Sequence, residues 1–413
     1  MHVLVMTVVH HPEDARILHR QVRALVDAGH EVTYAAPYTA RGVVPRAWVT
    51  GIDLPRASER RRIKAVLAAR KLFKSMRDKV DLVLLHDVEL LLAVVGVRNR
   101  PPVVWDVHED TPATLSLKPW LPPFLRPPVR FLARLLEGAA ERHLHLLLAE
   151  TAYAGRFRQA HLVVPNETWV PDHVSPPGDD RVVYLGWLSE ARGVREAVEV
   201  ARLLRPHRVS VELIGYADPQ SRPLLNQAVA EGLLEWRDFM PNDEALKRLD
   251  GALAGLSLLR DEPNYRHSMP TKIVEYMAHG IPVITTPSPR AVELVERYDS
   301  GVVVPWKDPE AVVRAVLALR DNPEERRAEG ARGYAAARAN HHWPNSARRF
   351  VAQLEAWSEE GKRRRMNGRA GRSRLFGRMT RQAEQQVEQQ AEQQAGRQSE
   401  NAERADTTEK AEK

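Results

Sequence analysis

The stretch over residues 262–286, EPNYRHSMPTKIVEYMAHGIPVITT, constrains this chain more than any other. A helix-compatible run, 271–279, follows Pro270 and stops at Gly280; a proline and a β-branched run, 283–286, come directly after. That order predicts a helix, a left-handed glycine cap and a buried strand. Pro270 suits a first helical turn, because its missing N–H would be unpaired there anyway. The amides after it then point outward from a helix end that carries partial positive charge and binds phosphate. Lys272 adds a cation in the first turn, and Glu275, one turn on, is placed to accept hydrogen bonds from a ribose diol. By themselves these residues read as a pocket for a nucleotide diphosphate.

The same alternation opens the chain. Residues 2–9 read as a buried parallel strand, 12–28 as a helix closed by Gly29, and 31–36 as a second strand. There is no GxGxxG, so a dinucleotide fingerprint is absent. The segment 169–180, WVPDHVSPPGDD, has linker composition, and beyond it RVVYLGWLSEARGVREAVEVARLL gives strand, glycine loop and helix. VELIGYADP is the next strand, with Gly215 at its end, and 308–321 and 323–340 are helical. A length of 413 residues accommodates two such domains. No run of about 18 apolar residues exists and no basic leader precedes the first strand, which predicts a cytoplasmic protein without a membrane span. Zero cysteines exclude disulfides, thiolate zinc sites and cysteine nucleophiles.

The run Pro270, Lys272, Glu275, Tyr276, Met277, Gly280, Pro282, Val283, Ile284 resembles the donor-binding segment of glycosyltransferase family 4 and related enzymes of the GT-B fold. The resemblance implies an α/β molecule of two Rossmann-like doubly wound domains facing a cleft. The N-terminal domain, 1–168 with a returning helix 343–358, would bind the acceptor; the C-terminal domain, 181–342, would bind the nucleotide sugar. In that family two glutamates eight positions apart hold the donor. The second matches Glu275, and the first falls on His267. The resemblance further implies donor contacts from Gly186, Arg192, Gly215, Ser268, Met269 and Thr271. The family places an Arg after the first glycine of the 186–193 loop and a Lys before the second; here Trp187 and Arg192 stand there. His108 matches the imidazole that approaches the donor sugar, so His108, Arg192 and Lys272 are the catalytic candidates.

On the acceptor side, Asp14 and Arg16 follow the first strand. His86 and Asp87 end LVLLHDVELLL, and His108, Glu109 and Asp110 end PVVWDVHEDTP. Asp14 and Arg16 read equally as a helix cap and a surface arginine. A His/carboxylate cluster also suggests metal, but without HExxH or Cys spacing none is expected. No cofactor is implied; the nucleotide sugar is a co-substrate, and the acceptor is a glycan or a lipid-linked sugar. For a retaining member of that family, the resemblance implies that the donor phosphate helps take the acceptor proton, so no carboxylate base is needed, and retention is the expected outcome; with inversion one of His108, Glu109, Asp110, Asp14 or Asp87 must do so. A non-catalytic sugar-nucleotide or glycan-binding protein is the other reading.

Two segments bear on membranes. Residues 59–79 form a basic helix with Ile63, Val66, Leu67 and Phe73 roughly on one side, either an interfacial stripe on anionic headgroups or a cover for the sheet. SLKPWLPPFLRPPVRFLARLL, ending at Leu136, is either an interfacial helix with aromatic anchors or a lid on the acceptor groove. On the interfacial reading of either segment, the cytoplasmic protein would sit peripherally at the inner membrane face. The tail after residue 359 is polar and repetitive, which predicts disorder or transient helix. Residues 362–381 hold nine Lys/Arg and no acid, so the basic balance is largely a property of the tail. Lacking aromatic interleaving, the tail suits lipid headgroups and implies no specific nucleic-acid partner.

Overall fold

The computed structural model describes residues 1–58, 61–108, 122–262, 265–266 and 269–367. Apolar residues come in short continuous runs such as VLVM, LVLL and VVYL, so strands are buried on both faces, the condition under which parallel pairing with helices on either side is stable. β1 (His2–Met6), β2 (Glu31–Ala36), β3 (Thr50–Asp53), β4 (Leu82–Leu85), β5 (Val103–Val107), β6 (His145–Leu148) and β7 (Leu162–Val163) form a parallel sheet in the order 3-2-1-4-5-6-7. β8 (Arg181–Leu185), β9 (Ser210–Ile214), β10 (Glu235–Arg237), β11 (Ala254–Ser257), β12 (Val283–Thr285) and β13 (Gly301–Val303) form a second, in the order 10-9-8-11-12-13. Strand order reverses between β1 and β4 and between β8 and β11. Loops diverge there and leave crevices at the carboxyl edges.

One face of the first sheet is covered by Ile17–Val22, continuing as Arg23–Asp27, and by the helix that starts at residue 343. Trp343, Phe350 and Leu354 of that helix are fully buried with Val3, Val5 and Tyr34, and each contributes roughly 1.5–3 kcal/mol of apolar burial. The chain is tied back at this point, since the Thr168 amide donates to His341 O (3.1 Å) and the Trp343 amide to Thr168 O (2.8 Å). The other face carries Arg62–Met76, Leu91–Val94 and Arg126–His143. Helices Thr271–Ala278, Pro289–Tyr298 and Pro323–Asn340 share one core against the second sheet, and Val194–Leu204, Arg222–Ala230 and Pro309–Asp321 share the other.

Some boundaries differ from the sequence pattern. β1 ends at Met6, because the amides of Val8 and Val9 turn aside to the Asp87 carboxylate. The first helix starts at Ile17 rather than residue 12, with Asp14 Oδ1 accepting the amides of Arg16 (2.9 Å) and Ile17 (3.0 Å). Its first turn is wide: Gln21 N donates to Arg16 O, five residues back (3.0 Å). Pro270 stands one place earlier than a first-turn proline; with ψ at 97° it is still extended, and the helix begins at Thr271. The apolar stripe of Arg62–Met76 splits. Phe73 packs inward with Ala65 and Ala69, whereas Ile63 and Leu67 face out. Residues 358–367 are helical, and the rest of the tail lies outside the described residues. Among the described residues no helix is long and apolar enough to cross a membrane.

Candidate functional site

The wall of the crevice at the second sheet is made by backbone that only glycine can follow. β8 ends in Gly186 (φ 118°) and β9 in Gly215 (φ 141°), and a Cβ on Gly215 would lie 2.1 Å from Gly186 O. The loop between Gly186 and Gly193 closes equally tightly, since a Cβ on Gly193 (φ 79°) would lie 2.1 Å from Leu258 O. These turns let the main chain of neighbouring strand ends approach closely, with the Gly186 and Gly215 amides donating to Ile214 O (2.8 Å) and Arg237 O (2.9 Å). Tyr276 fixes the strands beneath: its hydroxyl accepts from Leu185 N (2.8 Å) and donates to Leu256 O (2.9 Å), with the ring against Gly255.

Lys272 occupies the space above Gly186. A Cβ there would lie 3.8 Å from Nζ, which sits 3.4 Å from the centroid of the Tyr184 ring. The ammonium is buried and makes no hydrogen bond. Burial, and then the charge of Arg192, pushes it well below the usual lysine range, against the pull of Glu275. Arg192 reaches over Tyr265 (5.5 Å), and its carbonyl accepts the Tyr184 hydroxyl (2.9 Å). Two basic side chains thus converge on one glycine turn. Glu275 is buried behind them, with its pKa raised by burial. Trp187 is 53% exposed on the same loop, edge-on to Tyr216 (5.5 Å).

The opposite wall is a network of histidines and carboxylates at the β1/β4/β5 edge. Asp87 accepts from the Thr7 hydroxyl (3.0 Å) and the Val8 and Val9 amides, so it shapes the β1 loop. Asp106, inside β5, takes the Arg16 guanidinium through two 2.7 Å bonds and Gln21 Nε2 at 3.0 Å. Burial opposes ionisation there, but the Arg16 charge and hydrogen bonds, then His86, hold Asp106 well below the carboxylate range. Arg16 also donates to Val164 O and Asn166 Oδ1, so it is a buried tie rather than a surface residue. Asp14 caps the helix. His108 Nδ1 faces the Asp106 carbonyl (3.1 Å), which can only accept, so Nδ1 carries the proton and Nε2 accepts from His10 Nε2 (2.8 Å). His10 lies 3.2 Å from Asp87. Burial and then His10 push His108 down to about 3, and the imidazole is neutral. His86, Asp106 and His108 place one ligand atom each within 4.8 Å of one another. The Asp106 oxygens already carry the guanidinium charge that a cation would have to displace, so the donor set fits a charge-balanced network better than a metal.

The structure brings Gly186, Arg192, Gly215, Lys272 and Glu275 to one crevice, and Asp14, Arg16, His86, Asp87 and His108 to the other sheet's edge. Glu109, Asp110, His267 and Ser268 lie outside the described residues. Three buried or half-buried groups had no sequence signal of their own. Arg20 donates to Glu275 Oε1 across the crevice (3.3 Å). Glu150, at the end of β6, accepts the Met269 amide, and burial raises it to about 7. Asp106 was legible only as the one acid inside the apolar run VVWDV.

Two doubly wound parallel sheets across a crevice, with glycine turns and buried cations on one wall, define the GT-B architecture. Residues 179–322 match the family described as "Glycosyl transferases group 1". It is 30% identical over 146 residues to the amylovoran biosynthesis glycosyltransferase AmsK of Erwinia amylovora, covering 34% of this chain and 35% of that protein. The chain thus aligns with about a third of the length of the curated relatives it matches. Sucrose-phosphate synthase from Thermosynechococcus elongatus superposes with a TM-score of 0.64 at 17% identity, over 86% of this chain and 98% of that one. Anabaena Alr3699/HepE in complex with UDP-glucose gives 0.63 at 14% identity, over 86% and 100%. At these identities the solved structures establish the fold.

Proposed function

We propose that the protein transfers a sugar from a nucleotide diphosphate sugar to a glycan or lipid-linked acceptor, with the donor on the C-terminal wall and the acceptor on the N-terminal one. Lys272 carries this reading. A buried amino group with no hydrogen-bond partner among the described residues is costly unless an anion meets it, and this one hangs over the tightly closed Gly186 turn. Lys272, Arg192 and the amides after Pro270 hold the diphosphate, and Glu275 takes the ribose diol once Arg20 yields. HepE bound to UDP-glucose and AmsK in amylovoran biosynthesis agree with a nucleotide-sugar donor and a polysaccharide product.

In the transfer, the bond from the anomeric carbon to the β-phosphate oxygen breaks and the diphosphate leaves with the electron pair. The acceptor oxygen forms the new bond, and its proton passes to a phosphate oxygen. The preorganised cations stabilise the leaving charge without moving at the moment of reaction. His108 is too weak a base at about 3, and both its nitrogens are engaged, by Asp106 O and by His10, so it shapes the acceptor wall and takes no proton. That removes His108 from the candidate bases for inversion. Trp187 in place of a diphosphate-binding arginine supports the second reading, binding without turnover.

The test is calorimetric titration with UDP-, GDP- and ADP-sugars, alongside release of free nucleotide and the anomeric configuration of any product by NMR. Binding with slow release and a retained anomer agrees with the proposal. Binding without release under any acceptor moves the protein to the second reading, and no binding removes both.

A further inference from the structure

The helices Arg62–Met76, Leu91–Val94 and Arg126–His143 pack into one core on the same face of the first sheet. The last of them is turned inside out. Its acids face the protein: Glu137 pairs with Arg156, and Glu141 accepts the amides of Arg158 (2.7 Å) and Gln159 (2.8 Å) and His161 Nε2 (3.1 Å). Phe131, Leu132 and Leu135 instead point out, 64%, 66% and 54% exposed. Arg126, Arg130 and Arg134, spaced one turn apart, line an open cleft with Phe131. The neighbouring helices repeat the pattern. Arg62–Met76 contains five cations and no acid, with Ile63 and Leu67 exposed in its first two turns, and Leu92 and Val95 are exposed beside it.

A water-facing helix puts apolar residues inward and mixes charge outside. This layer has outward apolar side chains flanked by one sign of charge, and on its two long helices they lie mostly in the N-terminal half, toward the sheet's carboxyl edge and the His10–Asp87–His108 network. We infer that this layer is an interfacial surface that docks on an anionic lipid bilayer, with Phe131 and Leu135 in the acyl boundary and the three arginines on headgroup phosphates. A neutral or cationic partner would leave the arginines unmatched, and a second copy would set arginine against arginine. Docked in this way, the acceptor crevice opens toward headgroups. The inference deepens the lipid-linked branch of the proposed function, but its test needs neither donor nor acceptor, so the two fail separately.

The full chain is co-sedimented with vesicles of phosphatidylcholine alone or mixed with phosphatidylglycerol. The parent binds the mixed vesicles selectively, and R126Q/R130Q/R134Q binds roughly a hundredfold more weakly, from about a fivefold loss per arginine. F131S/L135S loses the part of binding that survives high salt. As the apolar variant can perturb packing, Phe131→Trp is the conservative check: its fluorescence is quenched by brominated acyl chains. Parent-like binding by both multiple variants, absent binding by the parent, or no quenching at Phe131→Trp overturns the inference. So does a concentration-dependent dimer that F131S/L135S abolishes, because the occupant is then a second copy.

Discussion

Lys272 destabilises the protein that carries it. Its ammonium is stripped of water and given only a ring face, so the ligand-free fold bears a desolvation cost of about 1–3 kcal/mol. Lys272→Met keeps the packing and removes that cost. Its urea midpoint should rise by the equivalent of about 1–3 kcal/mol while UDP affinity is lost, and a variant that loses both stability and affinity would make the lysine a structural residue. Sign also matters. The lysine pKa is depressed in the empty site, and an arriving diphosphate raises it, so binding takes up a proton at any pH between the two values. Titrations of UDP in buffers of different ionisation enthalpy should therefore differ in slope, and Lys272→Met should abolish the difference in any residual binding. Equal heats in all buffers for the parent would mean that Lys272 is already charged in the empty site.

At the scale of elements, the glycine turns matter more than the helices around them. Gly215→Ala forces a Cβ to within 2.1 Å of Gly186 O at φ 141°, and should cost about 2–5 kcal/mol, combining backbone strain with overpacking. Gly138→Ala, in the interior of Arg126–His143 with nothing within 4 Å of its Cβ, should instead stabilise by about 0.5–1 kcal/mol. Urea denaturation of the pair decides it, and a neutral Gly215→Ala would mean that the two turns part easily. These elements were legible because their signals are local: continuous apolar runs give parallel strands, and β12 and the Pro309–Asp321 and Pro323–Asn340 helices fall within a residue or two of where turn and cap residues put them. Arg20, Asp106 and Glu150 were not legible. Arg20 finds Glu275 255 positions away, and nothing in ILHRQV distinguishes a cleft arginine from a solvated one. Likewise the splitting of the Ile63/Phe73 stripe follows from which side the sheet lies on, which the helix period does not tell.

The two halves meet through contacts that titrate. Glu150 on the first half accepts the Met269 amide of the second; Glu167, within the first half, accepts from Ser346 of the returning helix with one oxygen, and the other is buried with no partner among the described residues. Burial raises each to about 7, against partial relief from Arg290 and Arg16 for Glu150, and from Ser346, Arg349 and Arg20 for Glu167. A carboxyl whose pKa is raised by closure binds a proton as the halves close. The closed form is therefore favoured fully below the ordinary glutamate pKa near 4.5, and the advantage is lost as pH rises through about 7. Above that, closure has to bury the Glu150 anion, so the crevice opens unless a donor supplies compensating contacts. Solution X-ray scattering of the ligand-free chain should show the radius of gyration growing between pH 6 and pH 8.5, on either side of that titration. The variant E150Q, neutral at that position throughout, should stay at the low-pH value, and saturating nucleotide sugar should return the parent to it. A radius that does not change with pH, or a variant that expands along with the parent, would place control of closure elsewhere than in Glu150.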